Sequence, residues 1–131
     1  MSYPQANQAY TEAAVLSATA EQLVVMLYDG AIRFMQQGAV ALDAGQKSTA
    51  RARLYRAEAI INELNQTLDM EIGGEFAQNL RSLYLFSKQQ IMEAMIEGDA
   101  EKIRQIMALL RDLRGAWAEA AANTAAAPAA S

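Results

Sequence analysis

The chain has 131 residues, 53% of them hydrophobic and 20% charged, a composition that predicts one globular domain rather than a disordered chain. Lys and Arg number 11 and Asp and Glu number 15, so the net charge is −4, which argues against nucleic acid as the main partner. There is no cysteine and no histidine, which removes thiol nucleophiles, the commonest general base and the commonest metal ligand.

The N-terminal sequence MSYPQANQAY has neither the basic start nor the apolar stretch of a secretory signal. No apolar run approaches the roughly 18 residues that a transmembrane helix needs. We therefore expect a cytoplasmic protein that does not insert into a membrane. Residues 1–18 are polar with scattered apolar side chains, and they predict an extended or loosely helical arm.

Glycines divide the rest of the chain into four segments of helical length. The first helix is predicted over residues 20–44, with Thr19 and Gln22 forming a capping box. The second is predicted over residues 49–70, after a Ser48 cap, because its apolar residues recur at helical spacing.

The third helix is predicted over residues 75–97, after the EIGGE break, and the fourth follows an Asp99 cap and ends near Glu119, with Trp117 in its apolar seam. Four helices of this length with short links predict an all-α fold, an antiparallel up-down four-helix bundle over residues 19–120. The Ala-rich residues 121–131 have nothing to bury, and we predict a disordered tail there.

The first helix has more apolar surface than a simple surface helix needs. On a wheel its apolar residues cover roughly 200°, against the ~100° that is usual. One flank of this wide face carries Val25, Tyr28 and Ile32. Four explanations are open: contact with two neighbouring helices, cover by the N-terminal arm, a homodimer interface, or a surface for another partner.

The third helix carries two apolar stripes. Its core stripe is predicted to consist of Phe76, Leu80, Leu83, Tyr84, Ile91, Ala94 and Met95. Leu85, Met92 and Ile96 fall together within about 40° on a helical wheel, nearly opposite that stripe. If the first set fills the bundle core, the second set points outward and favours the docking of an apolar helix.

Little in the sequence indicates catalysis. Glutamates are paired at i, i+4 spacing at residues 71 and 75 and at residues 93 and 97, but such pairs are usually solvated. A carboxylate di-metal bundle uses Glu-x-x-His, which is absent, and the serines have no histidine base. We predict no catalytic residue, no metal site and no cofactor, and an enzyme is the least favoured class.

Three ordered segments resemble one known family. Residues 15–34, VLSATAEQLVVMLYDGAIRF, resemble the start of the flagellar secretion chaperones of the FliS family, and MLYDGAIRF is the most specific part. LNQTLDMEIGGEFAQNLRSLY resembles the second family motif, and LLRDLRGAWAEA resembles the C-terminal helix. The likeness covers residues 5–120, and it departs from the family where Ala20 and Gln22 replace a proline and a glutamate.

The resemblance implies a cytoplasmic export chaperone that binds the disordered C-terminal segment of flagellin. Such proteins keep the filament subunit from polymerising early and help deliver it to the flagellar type III export apparatus, so export gate components are further implied partners. Homodimers are also described in the family. By position, the family's displaceable N-terminal cap includes Tyr10, Val15 and Leu16 here.

We predict that the surplus apolar residues bind this client. They are Val25, Tyr28 and Ile32 on the first helix and Leu85, Met92 and Ile96 on the third. A disordered client loses chain entropy when it folds, so it needs a long apolar surface in return. The physics of the bundle does not distinguish this function from the alternative, a helical adaptor for a different protein client.

Overall fold

The structure is a computed structural model that describes residues 12–13 and 16–126, with side chains as far as residue 123. Four long helices occupy residues 20–126: α1 (Ala20–Asp43), α2 (Lys47–Gln66), α3 (Met70–Glu97) and α4 (Ala100–Ala126). Each helix packs against the next one in the chain, and α4 closes the ring against α1. The predicted all-α four-helix bundle is therefore confirmed.

The caps predicted for α1 and α4 are confirmed. The Thr19 hydroxyl accepts a hydrogen bond from the Gln22 backbone N–H at 3.1 Å, and the Gln22 side-chain oxygen accepts one from the Thr19 N–H at 2.9 Å. The Asp99 carboxylate accepts hydrogen bonds from the backbone N–H groups of Glu101 and Lys102. Each cap satisfies N–H groups that have no partner inside their own helix.

The bounds of α2 and α3 differ from the prediction. Helix α2 begins at Lys47 rather than after a Ser48 cap, and it ends at Gln66 rather than near Met70. Asp69 is instead the N-cap of α3, since its carboxylate accepts hydrogen bonds from two backbone N–H groups of that helix. The predicted break at the glycine pair is a kink within α3, at Gly74, where φ is 53° and ψ is −130°. Only glycine adopts this backbone conformation readily.

Helix α4 extends beyond its predicted end near Glu119 and runs to Ala126. Alanine is the best helix former, so the Ala-rich segment continues the helix. Ala121 is buried and lies with Ala118 and Ala122 beside the start of α1. The predicted disordered tail is therefore helical as far as Ala126, and residues 127–131 lie outside the part that the structure describes.

The wide apolar face of α1 is used mainly inside the bundle. Its buried residues include Ala31, Met35 and Ala39, and α1 contacts α2 on one side and α4 on the other. Glycine lets α2 approach closely: a Cβ at Gly38 would lie 2.5 Å from Cδ2 of Leu54. Contact with two neighbours is thus the main reason for the surplus apolar width.

Two ion pairs show the relative direction of α1 and α4. Arg114 contacts Asp29 at 2.8 Å, and Arg104 contacts Asp43 near the other end of α1. Because the two pairs run in opposite order along the two helices, α1 and α4 are antiparallel. These side chains are about half exposed, so each pair contributes at most about 1 kcal/mol to the free energy of unfolding.

Two tyrosines meet in the bundle core. The hydroxyls of Tyr28 on α1 and Tyr84 on α3 are 2.6 Å apart, and both side chains are buried. The prediction that Tyr28 lies on a client-binding surface is therefore wrong. Burial raises the pKa of both tyrosines; the hydrogen bond to Tyr84 adds to the shift of Tyr28, and the Trp117 indole opposes it.

Removing both of these hydroxyls is expected to cost less than the sum of the two single losses. Tyr28→Phe should lower the free energy of unfolding by about 1–3 kcal/mol, because the buried Tyr84 hydroxyl loses its partner. Tyr84→Phe should cost less, because the Tyr28 hydroxyl keeps its interaction with the Trp117 indole. The double variant leaves neither of these hydroxyls behind and should be more stable than the sum of the two losses predicts. Urea unfolding at neutral pH measures all three; simple additivity of the losses would disprove this coupling.

The tyrosine pair also predicts a loss of stability in alkali. The pKa values of both tyrosines are raised in the folded chain. Their contribution to the free energy of unfolding is therefore complete below the ordinary tyrosine pKa of 10.0 and is lost as the pH rises above it. The double phenylalanine variant should show a smaller loss over the same pH range. Urea midpoints measured between neutral pH and pH ~11 test this expectation.

Candidate client-binding surface

An open apolar groove lies at the end of the bundle where α1 and α3 begin and α4 ends. It has a volume of about 440 Å³. Its main apolar lining residues are Leu23, Val24, Leu27, Leu68, Ile72, Phe76, Leu80 and Trp117. A second hollow of about 280 Å³ shares Phe76, Leu80 and Trp117 with it and continues along α4 past Leu113 and Ala116. We call the two together the terminal groove.

The terminal groove exposes large apolar side chains that a small protein normally covers. Ile72 is 87% exposed and Phe76 is 63% exposed. The prediction that Phe76 belongs to the core stripe of α3 is therefore wrong. The reason is that a groove, rather than a packed core layer, lies between α3, α1 and α4 at Phe76, so one side of its phenyl ring faces solvent.

The backbone at Gly74 shapes one wall of the groove. The short stretch before the kink begins at Asp69, whose side chain and main chain cap it through the N–H groups of Glu71, Ile72 and Gly73. The same stretch presents Ile72 to the groove. A Cβ at Gly74 would meet no atom within 4 Å, so glycine is required there for its positive φ rather than for space.

The second stripe of α3 points outward, as its periodicity predicts. Leu85, Met92 and Ile96 are 47%, 55% and 80% exposed. Phe86 is also 47% exposed and widens the stripe. We call these four residues the α3 stripe. Its apolar side chains, among them the flexible thioether of Met92, can pack against an apolar helix.

The α1 flank with Val25 and Ile32 and the α3 stripe do not form one continuous surface. Ile32 is half-buried and packs against the core. Val25 is half-buried and lines a separate hollow of about 540 Å³ with Met26, Ala118 and Ala121. Val25 therefore stays reachable from solvent, at a place set apart from Leu85 and Ile96.

The predicted N-terminal cap is described only in part. Leu16 is 88% exposed, so its side chain buries almost no surface against the bundle. Tyr10 and Val15 lie outside the described residues. Ser17 and Ala18 line the hollow beside Val25, which places the end of the arm next to α1 and α4.

Sequence reasoning missed the terminal groove. Helical spacing alone places Trp117 in the core seam of the fourth helix, and the glycine pair places Ile72 in a loop. The one available signal is an isoleucine between a helix cap and two glycines, where an apolar side chain has no obvious core to enter.

Within the described residues, no group of three or more His, Cys, Asp or Glu side chains is arranged to hold a metal ion. None of the helices in that part of the chain is long and apolar enough to cross a membrane. The groove contains mostly apolar side chains, with Glu21 and Asp69 among its few acidic ones. Its chemistry is that of protein binding.

A closed helical bundle that leaves an apolar groove and an apolar stripe uncovered is typical of proteins that bind a segment of another protein. Comparison with known proteins agrees with this class. The family model described as "Flagellar protein FliS" matches residues 2–124. The chain belongs to the FliS family, which confirms the resemblance seen in its sequence motifs.

Curated relatives named as flagellar secretion chaperones match the chain over most of their length. The chain is 36% identical over 111 residues to "Flagellar secretion chaperone FliS" of Salmonella typhimurium, covering 84% of this chain and 82% of the relative. It is 35% identical over 114 residues to the protein so named in Vibrio cholerae, covering 84% of both chains. For the Bacillus subtilis relative, the identity is 30% over 112 residues, with 86% and 83% covered. This family membership supports a role as an export chaperone with a protein client.

Proposed function

We propose that the chain is a cytoplasmic export chaperone that binds the disordered C-terminal segment of flagellin. Binding prevents premature polymerisation of the filament subunit and aids its delivery to the flagellar type III secretion apparatus, where export gate components are further partners. The observation that carries this proposal is the terminal groove, in which Ile72 and Phe76 remain largely exposed although the rest of the bundle is well packed.

An unfolded client requires a surface of this kind. A disordered segment loses chain entropy when it becomes helical, and burial of apolar surface must offset that loss. Burying ~1,000 Å² of apolar surface contributes about 25 kcal/mol before the costs of ordering and association. The terminal groove and the α3 stripe lie on different parts of the bundle, so a client that wraps around it can use both.

The proposed client contacts differ from the set predicted by the sequence in two ways. Tyr28 is removed because it is buried, whereas Leu85, Met92 and Ile96 are retained because they are exposed. Val25 and Ile32 are kept as edge contacts, since both are half-buried. The groove residues Leu23, Ile72, Phe76 and Trp117 are added. The arm over residues 1–18 is proposed as a cap that the client displaces, with Tyr10 and Val15 as its apolar contacts, whereas Leu16 is 88% exposed and is left out of them.

A flagellin lacking its C-terminal segment provides the first test. We expect the chain to co-elute with full-length flagellin at micromolar concentration and not with the truncated form. If the chain elutes alone in both cases, the alternative of a helical adaptor for a different client is favoured. Gel filtration of the chain without client tests separately whether it forms a homodimer.

The contribution of α3 is tested by a charge-bearing double variant. Leu85→Asp/Met92→Asp is expected to weaken the binding of a flagellin C-terminal peptide about tenfold, because two apolar contacts are replaced by carboxylates that must lose their water. Both side chains are about half exposed, so the variant should stay helical by circular dichroism. An unchanged affinity in a fully helical variant would remove the α3 stripe from the site.

A further inference from the structure

The face formed by α1 and α2 carries a basic and aromatic patch, although the chain as a whole has a net charge of −4. The patch consists of Arg33 and Phe34 on α1 and Tyr55, Arg56 and Ile60 on α2, and we call it the arginine patch. Four of these residues, all except Arg33, line an open hollow of about 470 Å³. No residue lines both this hollow and the terminal groove, so the two surfaces are separate.

The two arginines of the patch are held over one ring. The guanidinium carbons of Arg33 and Arg56 each lie 5.7 Å from the centroid of Phe34, a distance at which a cation is attracted to the ring. Neither guanidinium forms an ion pair with any residue that the structure describes, whereas Arg104 and Arg114 both do. The N–H donors of the two patch arginines are therefore open to an external carboxylate.

The acidic residues that lie near the patch in sequence do not form ion pairs with its two arginines. Asp29, one turn before the patch on α1, is paired with Arg114. Glu58 faces Lys88 of α3: burial raises the pKa of Glu58, and the charge of Lys88 opposes the rise. Glu63 is two turns, or about 10 Å, beyond the arginine of α2. Among the described residues, no direct ion pair therefore compensates the positive charge of the patch.

We propose that the arginine patch is a docking site for an acidic segment of a second protein, in which at least two carboxylates flank an apolar side chain. The carboxylates accept hydrogen bonds from Arg33 and Arg56, and the apolar side chain packs against Phe34 and Ile60. Tyr55, which is 54% exposed, closes one side of the hollow. Aromatic residues and arginine are the side chains that contribute most at protein interfaces.

The chemistry of the patch favours a protein over a polyanion. Nucleic acids and anionic membranes are attracted by extended positive surfaces, and the net charge of −4 opposes both. The patch supplies two guanidinium groups over an apolar floor, which matches a short acidic and apolar peptide. This second site shares no residue with the proposed client surface and leaves the terminal groove free.

A pair of synthetic peptides tests the proposal. The probe is a fluorescent peptide with the core sequence Glu-Glu-Phe-Leu-Glu-Glu, and its matched control has every Glu replaced by Lys. We expect saturable binding of the acidic peptide by fluorescence anisotropy, weaker binding as NaCl is added, and no binding of the basic peptide.

Charge-reversal variants locate the binding site. Arg33→Glu/Arg56→Glu is expected to lower the affinity for the acidic peptide at least about tenfold, because both charge-assisted hydrogen bonds are lost. Arg111→Glu reverses one charge on the exposed face of α4 and should change the affinity less than about twofold. Arg33→Gln/Arg56→Gln removes the charges without reversing them, and it replaces the first variant if that one is not helical.

Three results would overturn the proposal: no saturable binding of the acidic peptide, equal binding to the wild-type chain and the double variant, or displacement of the acidic peptide by the flagellin C-terminal peptide. Phosphatidylglycerol vesicles and single-stranded DNA are measured in the same assay. If either binds in an arginine-dependent way while the peptide does not, the patch serves a polyanion instead. Because the flagellin peptide is titrated separately, failure of this site leaves the proposed client function untouched.

Discussion

Gly38→Val is expected to destabilise the bundle by about 3 kcal/mol, a large part of the roughly 5–15 kcal/mol that stabilises a typical domain. A Cβ at this position would lie 2.5 Å from Cδ2 and 2.6 Å from Cγ of Leu54, far inside van der Waals contact. Leu54 is fully buried in α2, so its side chain has no free space to move into. The variant therefore forces α1 and α2 apart at a point where their backbones approach closely. Thermal and urea unfolding measure the loss.

Other helical glycines provide matched controls for Gly38. Gly115 lies in α4, and a Cβ added there would meet no atom within 4 Å, so Gly115→Ala should stabilise the chain by about 1 kcal/mol through helix propensity alone. Gly30 is intermediate, because its Cβ would lie 3.1 Å from Cδ1 of Ile60. Alanine variants should therefore rank in stability as Gly115, Gly30, Gly38. Equal effects at all three positions would show that the close approach of α1 and α2 does not limit packing.

Ile72→Asp/Phe76→Asp is expected to reduce the affinity for a flagellin C-terminal peptide about 100-fold, which corresponds to roughly 3 kcal/mol. In the proposed complex, both side chains are buried by the client, and an aspartate there would lose its water without gaining a partner. In the free chain they are 87% and 63% exposed, so the fold should lose less than about 0.5 kcal/mol. Isothermal titration of the peptide into each variant measures the affinity.

Val40→Asp is the matched control for the groove variant. Val40 is 54% exposed on α1 and lines neither part of the terminal groove, so this substitution adds a carboxylate at a comparable surface position outside the proposed site. We expect its peptide affinity to stay within about twofold of the wild-type value. If Val40→Asp and the groove variant weaken binding equally, general charge rather than the groove controls affinity.

The four helices and the caps of α1 and α4 could be predicted because they depend on local chemistry, whereas the predicted Ser48 cap of α2 was wrong. Thr19 and Gln22 cap each other across one helical turn, and the hydrogen bonds of Asp99 also lie within a single turn. The outward direction of the α3 stripe is likewise predictable, since helical periodicity fixes which side chains lie opposite the core. The helix boundaries around the glycine pair could not be predicted, because a glycine can either end a helix or kink it. Gly74 kinks α3.

The sequence alone therefore determined the four helices, the all-α class and the family, since helical periodicity, caps and motifs each depend on residues that lie close together in the chain. Only the tertiary structure decided which apolar residues remain available to a client. Tyr28 and Phe76 are both aromatic and both occupy apolar helical positions, yet Tyr28 is buried against Tyr84 while Phe76 borders an open groove. Burial depends on which helices approach at each level of the bundle, and that is set by long-range packing such as the contact of Gly38 with Leu54.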